Sequence, residues 1–551
     1  MRIKELIFLL STAMAAGCGK HGGSPATPSS YSLSFTVDGT YKGLTYTGVS
    51  TRPLIKFSFT APVTQSAVQA GVSFSGADGS KVDYSVTMQA GNTIAIIQPA
   101  AALGGLGKYV VNTAASLSSS AGGALVNPVS ITLLTGVDST DKFPRVSDSA
   151  LLTLVEQQMF KYFWDFGHPA CGMARERNTS GDVVTTGGTG FGIMAMLAAV
   201  ERNFISRADA LNRITQIVTF LSTKCTTYHG AFSHWINGAT GVTVPFSPQD
   251  NGGDIVETAY MMQGLLCARQ YFNRDADNAE INLRNAINDL WNGVDWNWYR
   301  NNNQNVLYWN WSPDQGFAVN VQVNGWDEAL ITYVLAASSN THAIPATVYT
   351  NGWAKNGSMR NGKSFYGIKL SLGPDYGGPL FFAHYSFLGI NPNGLSDAYA
   401  NYWTQDTAQT KINYHYCVDN PNKYAGYSTD CWGLTASDID GGYNASSPTN
   451  DKGYIAPTAA ISSLPYAPKE AMDALRFFYY KLGDKIWGQY GFSDAFNINS
   501  LWFANSYLAI DQGPQIVMIE NYRSGLLWKL FMSCPEVKTG LKSLGFSSPY
   551  L

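Results

Sequence analysis

Between Gly187 and Ile516 one pattern recurs six times: a glycine-rich or acidic turn, then an apolar stretch with helical spacing. The openings are GGTGFG at Gly187, DNGGDIVE at Asp250, GWDE at Gly325, GGPLFF at Gly377, GYIAPTA at Gly453 and IDQGPQIV at Ile510. Stretches with ordinary helix-start signals lie between them: SRADALNR from Ser206, DADNAEINLRN from Asp275, PATVYTNG from Pro345, LSDAYANY from Leu395 and APKEAMDALR from Ala467. With SALLTLVEQQMFKYF from Ser149, the spacing predicts about twelve helices. Their alternation predicts an inner and an outer ring, the arithmetic of an (α/α)6 toroid. Six inner helix starts would then meet at one mouth, where a cleft is to be sought.

Composition narrows the partners. The chain has 551 residues, 45% of them hydrophobic, enough for a large domain and a smaller one. Only 14% are charged, 36 Lys and Arg against 39 Asp and Glu, and the net charge of −3 argues against a nucleic-acid or anionic-membrane surface. The 31 Tyr and 14 Trp suit sugar faces, although helix packing accounts for most of them. A monomer is expected.

Residues 1–18 read as a processing signal: Arg2 and Lys4, the run LIFLL, then Ala15-Ala16-Gly17-Cys18, which resembles a bacterial lipobox with Cys18 as the lipidated residue. The expectation is an exported protein held at the cell envelope by lipid alone. Residues 19–30 form a Gly/Ser/Pro tether, and residues 31–137 carry seven short alternating runs that fit an immunoglobulin-like sandwich, either a spacer or a glycan-binding accessory. The polar segment 138–146 links it to the helical region, 147–551. The loop between Tyr414 and Tyr454 is long enough to wall a cleft. Cys417 and Cys431 flank part of it and either pair or stay free.

Carboxylates concentrate at the second, third and sixth openings. Asp250, Asp254 and Glu257 crowd together, with Asp254 and Glu257 spaced i, i+3; that spacing also makes a capping box, so stability and acid-base chemistry both remain open. Glu328 is placed in the first turn of the next inner helix, after Trp326, which would offer a stacking face. Asp511 precedes a Gly-Pro turn, whereas Glu520 and Arg523 look like an internal ion pair. Asp438 and Asp494 sit in aromatic turns and Tyr454 in GYIAPTA, all three candidates for substrate binding, with loop bracing or proton transfer open for the acids, and Arg177 in GMARERN either braces the fold or reaches substrate hydroxyls. His229 and His234 share an aromatic loop and read as ordinary hydrogen-bonding groups. No zinc motif, complete calcium loop, Walker loop or dinucleotide fingerprint is present, so neither metal nor cofactor is expected.

Several of these stretches resemble a known family. YFWDFGHPACGMARER, TTGGTGFGIMA, DNGGDIVETAYMMQGLL, GWDE, DCWGLTASD, GYIAPTA, YGFSDAF and AIDQGPQIVMIENYRSGLLWK are similar to the glycoamylase-like domain of bacterial exported proteins, nearest to glycoside hydrolase family 144, the endo-β-1,2-glucanases. The resemblance covers about residues 147–540 and not the sandwich. It implies an (α/α)6 toroid that hydrolyses β-1,2-glucan to sophorose-type oligosaccharides without a metal. The functional acids it implies are Asp250, Asp254, Glu257, Glu328 and Asp511. Glu328 is then expected as general acid and Asp511 as base, with Asp254 and Glu257 as contenders. Exo action, another glucan linkage, or non-catalytic glycan binding are the alternatives.

Overall fold

The computed structural model describes residues 29–551, so Cys18 and most of the tether lie outside the described residues. The chain divides into two compact units between Gly136 and Val137.

The first unit is sheet-rich. Its strands are β1 (Leu33–Val37), β2 (Thr45–Val49), β3 (Ile55–Phe59), β4 (Val72–Gly76), β5 (Tyr84–Gln89), β6 (Ile94–Pro99), β7 (Lys108–Thr113) and β8 (Ser130–Thr135), with a short helix α1 (Gln65–Gly71). They form two four-stranded sheets, ordered β1-β3-β6-β5 and β2-β8-β7-β4. Alternate residues such as Ile55, Phe57 and Phe59 are buried in the core, together with Ile97, Val111 and Leu133. The seven runs read in the sequence are strands. Two elements are additional: β2, whose TYTGV buries only Tyr46 and Val49 and pairs parallel with β8, and α1, started by the Thr64 hydroxyl accepting from the Ala67 N–H.

The second unit is helical. It contains α2 (Asp148–Trp164), α3 (Thr186–Glu201), α4 (Arg207–Thr223), α5 (Ile255–Tyr271), α6 (Asn278–Gly293), α7 (Leu330–Ser338), α8 (Ala346–Val348), α9 (Tyr402–Asp419), α10 (Pro457–Ile461), α11 (Pro468–Tyr480), α12 (Gly483–Ile486), α13 (Ala509–Arg523), α14 (Leu526–Met532) and α15 (Pro535–Ser543). Helices α3, α5 and α13 are buried almost all round, and α3 packs against both others. Glycine makes that approach possible. A Cβ on Gly190 would lie 2.1 Å from the Tyr260 carbonyl oxygen, and one on Gly264 would lie 2.2 Å from that of Gly190. Helices α4, α6 and α11 instead bury one face, and Ser206 and Asp277 cap the first two as their start signals predict.

Two openings and one intervening stretch depart from the pattern. GGPLFF leads only into 3-10 turns at Leu380–Ala383 and Ser386–Leu388, because Phe, His, Tyr and Ser are weak helix formers and Asn391-Pro392 follow. GYIAPTA opens only the five residues of α10. LSDAYANY is not helical: Asp397 accepts from the Tyr399 and Ala400 N–H groups, and the helix begins at Tyr402, capped by Asn401. Helix α9 then carries a buried row of amides that bracket loop backbone. Gln405 accepts from the Leu372 N–H, Gln409 donates to the Pro379 carbonyl, and Asn413 both accepts from and donates to Leu434.

One local expectation needs correcting, and one open question is answered. Glu520 pairs with Arg202 at 2.6 Å and Arg523 with Glu156 at 2.6 Å, so both link separate helices rather than each other. Arg523 reaches past Glu520 to the buried Glu156, and the buried Glu520 takes its cation from Arg202. Cys417 and Cys431 are both buried and free.

Candidate active site

The densest cluster is built where α5 begins. The two-residue strand Gly253–Asp254 pairs antiparallel with Asn310–Trp311, which holds Asp254 extended (φ −113°, ψ 110°) just before the helix. Its carboxylate accepts four hydrogen bonds. Oδ1 takes the N–H groups of Val256 (3.0 Å) and Glu257 (2.9 Å); Oδ2 takes His234 Nδ1 (2.9 Å) and Trp309 Nε1 (3.2 Å). Asp254 is therefore a cap and an anchor. The reciprocal half of a capping box does not form, because the Asp254 N–H donates to Phe232 and Glu257 turns toward α3. Glu257 accepts from the Gly187 N–H at 2.7 Å, and a Cβ at that glycine would lie 2.5 Å from Glu257 Oε2. This contact explains the first glycine of GGTGFG.

The surrounding groups titrate abnormally. Burial, followed by the charge of Asp254, pushes Asp250 up to about 6. Burial also raises Glu257, with His234 opposing it. For His234 itself burial favours the neutral ring, but Glu257 and Asp254 outweigh it and push the imidazole up to about 9. His234, Asp250 and Asp254 place potential ligand atoms within 4.8 Å of one another. The four donors already on Asp254 identify the trio as a hydrogen-bonded cluster rather than a cation ligand set.

Glu328 lies in the turn before α7, not in its first turn, since the helix starts at Leu330. Among the described residues its carboxyl is engaged only by its own backbone N–H. Burial and the charges of Glu257 and Asp254 push it up to about 7. Trp326 offers no stacking face: it is 4% exposed, packed near Phe387 and Tyr402, and its Nε1 donates to Gln409 at 2.7 Å. The apolar ring is placed by core packing and its one polar atom is consumed internally.

A second acidic cluster surrounds the start of α13. That helix begins at Ala509 with Asp511 in its first turn, so the Gly-Pro pair lies inside it rather than before it. Asp511 and Asp494 are buried and share a hydrogen bond. Asp494 Oδ2 also accepts from the Asp438 N–H at 2.6 Å, while Asp494 Oδ1 and Asp511 Oδ2 meet no donor among the described groups. Burial, then mutual repulsion, raises Asp511 strongly; Asp494 is raised to about 7, chiefly by burial. One proton held between them accounts for both unmatched oxygens. Arg177 braces this side, donating to both Asp438 oxygens (3.2 and 3.1 Å) and to Glu176, and Ser506 donates to Asp438 at 2.6 Å.

Phe191, Tyr260 and Tyr385 form an aromatic floor between the clusters, with ring centroids 5.2 to 5.8 Å apart. Tyr260 is raised by burial and by Glu328 and Glu257; Tyr385 is raised by burial and by Asp511 and Glu328. Both clusters therefore border the same floor. Above the second cluster a cavity of about 640 Å³ is lined by Arg177, Asp438, Tyr443, Trp502 and Ser506. Tyr443, on the hairpin Ala436–Ile439/Gly442–Ala445, is half exposed, so the long loop does wall a cavity. Tyr454 braces that wall: its hydroxyl accepts from the Asp440 N–H at 3.2 Å and its ring meets Trp502 edge-on. Tyr260 and Tyr385 are members that residue patterns did not single out, and His234 was read only as an ordinary hydrogen-bonding group. HWIN and AHYSF carry no local signal beyond aromatic character, and long-range packing assembles them.

The Glycoamylase family model matches residues 320–535. A curated exo β-1,2-glucooligosaccharide sophorohydrolase (non-reducing end) from Parabacteroides distasonis is 44% identical over 422 residues, 72% of this chain. The chain spans only 58% of that relative's length. The solved endo-β-1,2-glucanase from Chitinophaga pinensis is 50% identical, matching 74% of this chain and 100% of its own with a TM-score of 0.72. A solved β-1,2-glucanase from Parabacteroides distasonis is 37% identical, matching 89% of this chain and 71% of its own with a TM-score of 0.71.

Proposed function

We propose, since this chain belongs to the glycoamylase-like family and within it to glycoside hydrolase family 144, that it hydrolyses β-1,2-glucan to sophorose-type oligosaccharides. The observation that carries this reading is Glu328: an acid without a side-chain partner, beside the aromatic floor, held half-protonated near pH 7. It is assigned as the general acid that protonates the departing glycosidic oxygen. The Asp494–Asp511 pair, with one proton between two carboxyls, is assigned as the base that takes a proton from water, directly or through a substrate hydroxyl. Asp511 alone was the expected base; its contact with Asp494 makes the pair the chemical unit. Asp250 and the cavity residues Arg177, Asp438 and Tyr443 are assigned to bind sugar hydroxyls or rings, a reading supported by the cavity that the last three line.

Cleavage within the polymer is the favoured mode, because the endo-acting Chitinophaga enzyme is matched along its whole length. The (α/α)6 toroid is the closure we assign to the helix layers, supported by the succession of neighbours α3–α5–α7 and α10–α13–α3. Lipidation at Cys18 and envelope anchoring complete the proposal.

The test is incubation of the protein with β-1,2-, β-1,3- and α-1,4-glucans, with products resolved by size over time. A ladder of oligosaccharides from β-1,2-glucan alone is expected. Immediate release of one disaccharide would replace endo with exo action, and binding without cleavage of any glucan would replace the hydrolase with a binding protein.

A further inference from the structure

We infer that His234 is a positioning residue of this site, an imidazolium that Asp254 aims and that keeps Glu257 ionised and fixed against Gly187. The inference rests on the hydrolase reading for its consequence but on geometry for its substance. Asp254 Oδ2 is an acceptor, so His234 Nδ1 carries a hydrogen and the ring orientation is set, with Nε2 turned toward Glu257 Oε1 at 4.0 Å. Asp254 cannot swing away, because two backbone N–H groups and Trp309 hold it. The charge count explains why a cation is needed. Asp250, Asp254 and Glu257 crowd one buried corner, and among the described residues no Lys or Arg pairs with any of them. Two buried anions with no cation beside them would be costly, and His234 is the one basic group facing them.

Asp250 also lies within 4.8 Å of the ring, and the rest of its surroundings include two aromatics: Phe246 lies 4.5 Å away and Trp235 5.7 Å away, centroid to centroid. Phe246 is 51% exposed, so the corner opens to solvent past an aromatic rim and a proton can be exchanged there. The His234 carbonyl meanwhile accepts from the Thr186 N–H at the start of α3, tying the ring's backbone to the element that holds Glu257. Sequence reading gave this histidine an ordinary hydrogen-bonding role. Among the described residues it is the one basic side chain within ion-pairing distance of these carboxylates.

Two variants test this. His234→Asn keeps a donor near Asp254 but removes the charge; Glu257→Gln keeps the size of Glu257 and removes its charge. In histidine-selective NMR, His234 of the wild type should stay protonated through neutral pH, and Glu257→Gln should lower its titration point by at least about one unit. His234→Asn should lower kcat about tenfold or more with little change in KM. It should also move the alkaline limb of the pH profile downward, because a Glu257 that has taken up a proton no longer helps to raise Glu328. An unchanged His234 titration in Glu257→Gln, or a wild-type pH profile in a folded His234→Asn protein, overturns the inference. If the NMR linkage appears while the wild type cleaves no glucan, the positioning stands and the substrate reading falls.

Discussion

Glu328 and Asp254 are both acids at the start of a buried helix, and their partners separate their roles. Asp254 has four donors, so it is committed to structure. Glu328 has none from another side chain among the described residues, so its proton is free to move. Glu328→Gln should reduce turnover of β-1,2-glucan by about 100-fold or more while leaving the melting temperature near that of the wild type, measured by initial rates and calorimetry. A general acid must be protonated before it acts, so the wild-type rate should fall as pH rises through about 7, the value to which Glu328 is pushed. Asp254→Ala should behave oppositely in stability. It removes a helix cap, costing about 1 to 2 kcal/mol, and leaves His234 and Trp309 without their acceptor, so the loss should exceed the cap alone. Thermal or urea unfolding would show it.

Elements with a strong local signature were legible; those shaped by distant partners were not. Helices α4 and α6 announce themselves by Ser206 and Asp277, and α5 and α13 by apolar runs after acids. The fourth opening carries the same glycine signal, yet the aromatic run behind it makes only 3-10 turns, because glycine marks close approach as readily as a helix start. The acids at Asp250, Asp254, Glu257, Glu328 and Asp511 were visible as residue types. Their states were not, since the Asp494–Asp511 contact and the reach of Glu257 to Gly187 depend on elements far apart in sequence. Arg523 illustrates the same limit, finding Glu156 367 positions away instead of Glu520 three positions away. At this scale the glycines of the α3–α5 contact are the sharpest test. Gly190→Ala would force its new methyl into the Tyr260 carbonyl and should destabilise the fold by about 1 to 3 kcal/mol or more, while the same change at solvent-facing Gly442 meets nothing within 4 Å. Gly442 lies outside the left-handed region, so its variant should melt close to the wild type.

For the whole molecule, the unusual feature is that several buried acids are held above the usual carboxylate range. Glu156, Glu328 and Asp494 are each raised to about 7, Asp250 to about 6, and His234 to about 9. Every one of these shifts makes the folded state bind protons more strongly than the unfolded chain. Stability from these groups is therefore full below the unfolded carboxyl values and lost as pH rises through the folded ones. The melting temperature should be higher near pH 5 than near pH 8, with most of the carboxyl contribution disappearing between about pH 4 and 7. Asp511→Asn should flatten that dependence. Cys18→Ser should move the expressed protein from the membrane fraction to the soluble exported fraction, measured by fractionation. The amides of α9 act on the same scale. Gln405, Gln409 and Asn413 fasten the chain at Leu372, Pro379 and Leu434 as a neighbouring strand would, so these connections behave as fixed masonry rather than moving parts. In hydrogen-deuterium exchange the Leu372 and Leu434 N–H groups should persist as long as those of buried helices, which gives these connections a shape that exists before any ligand arrives.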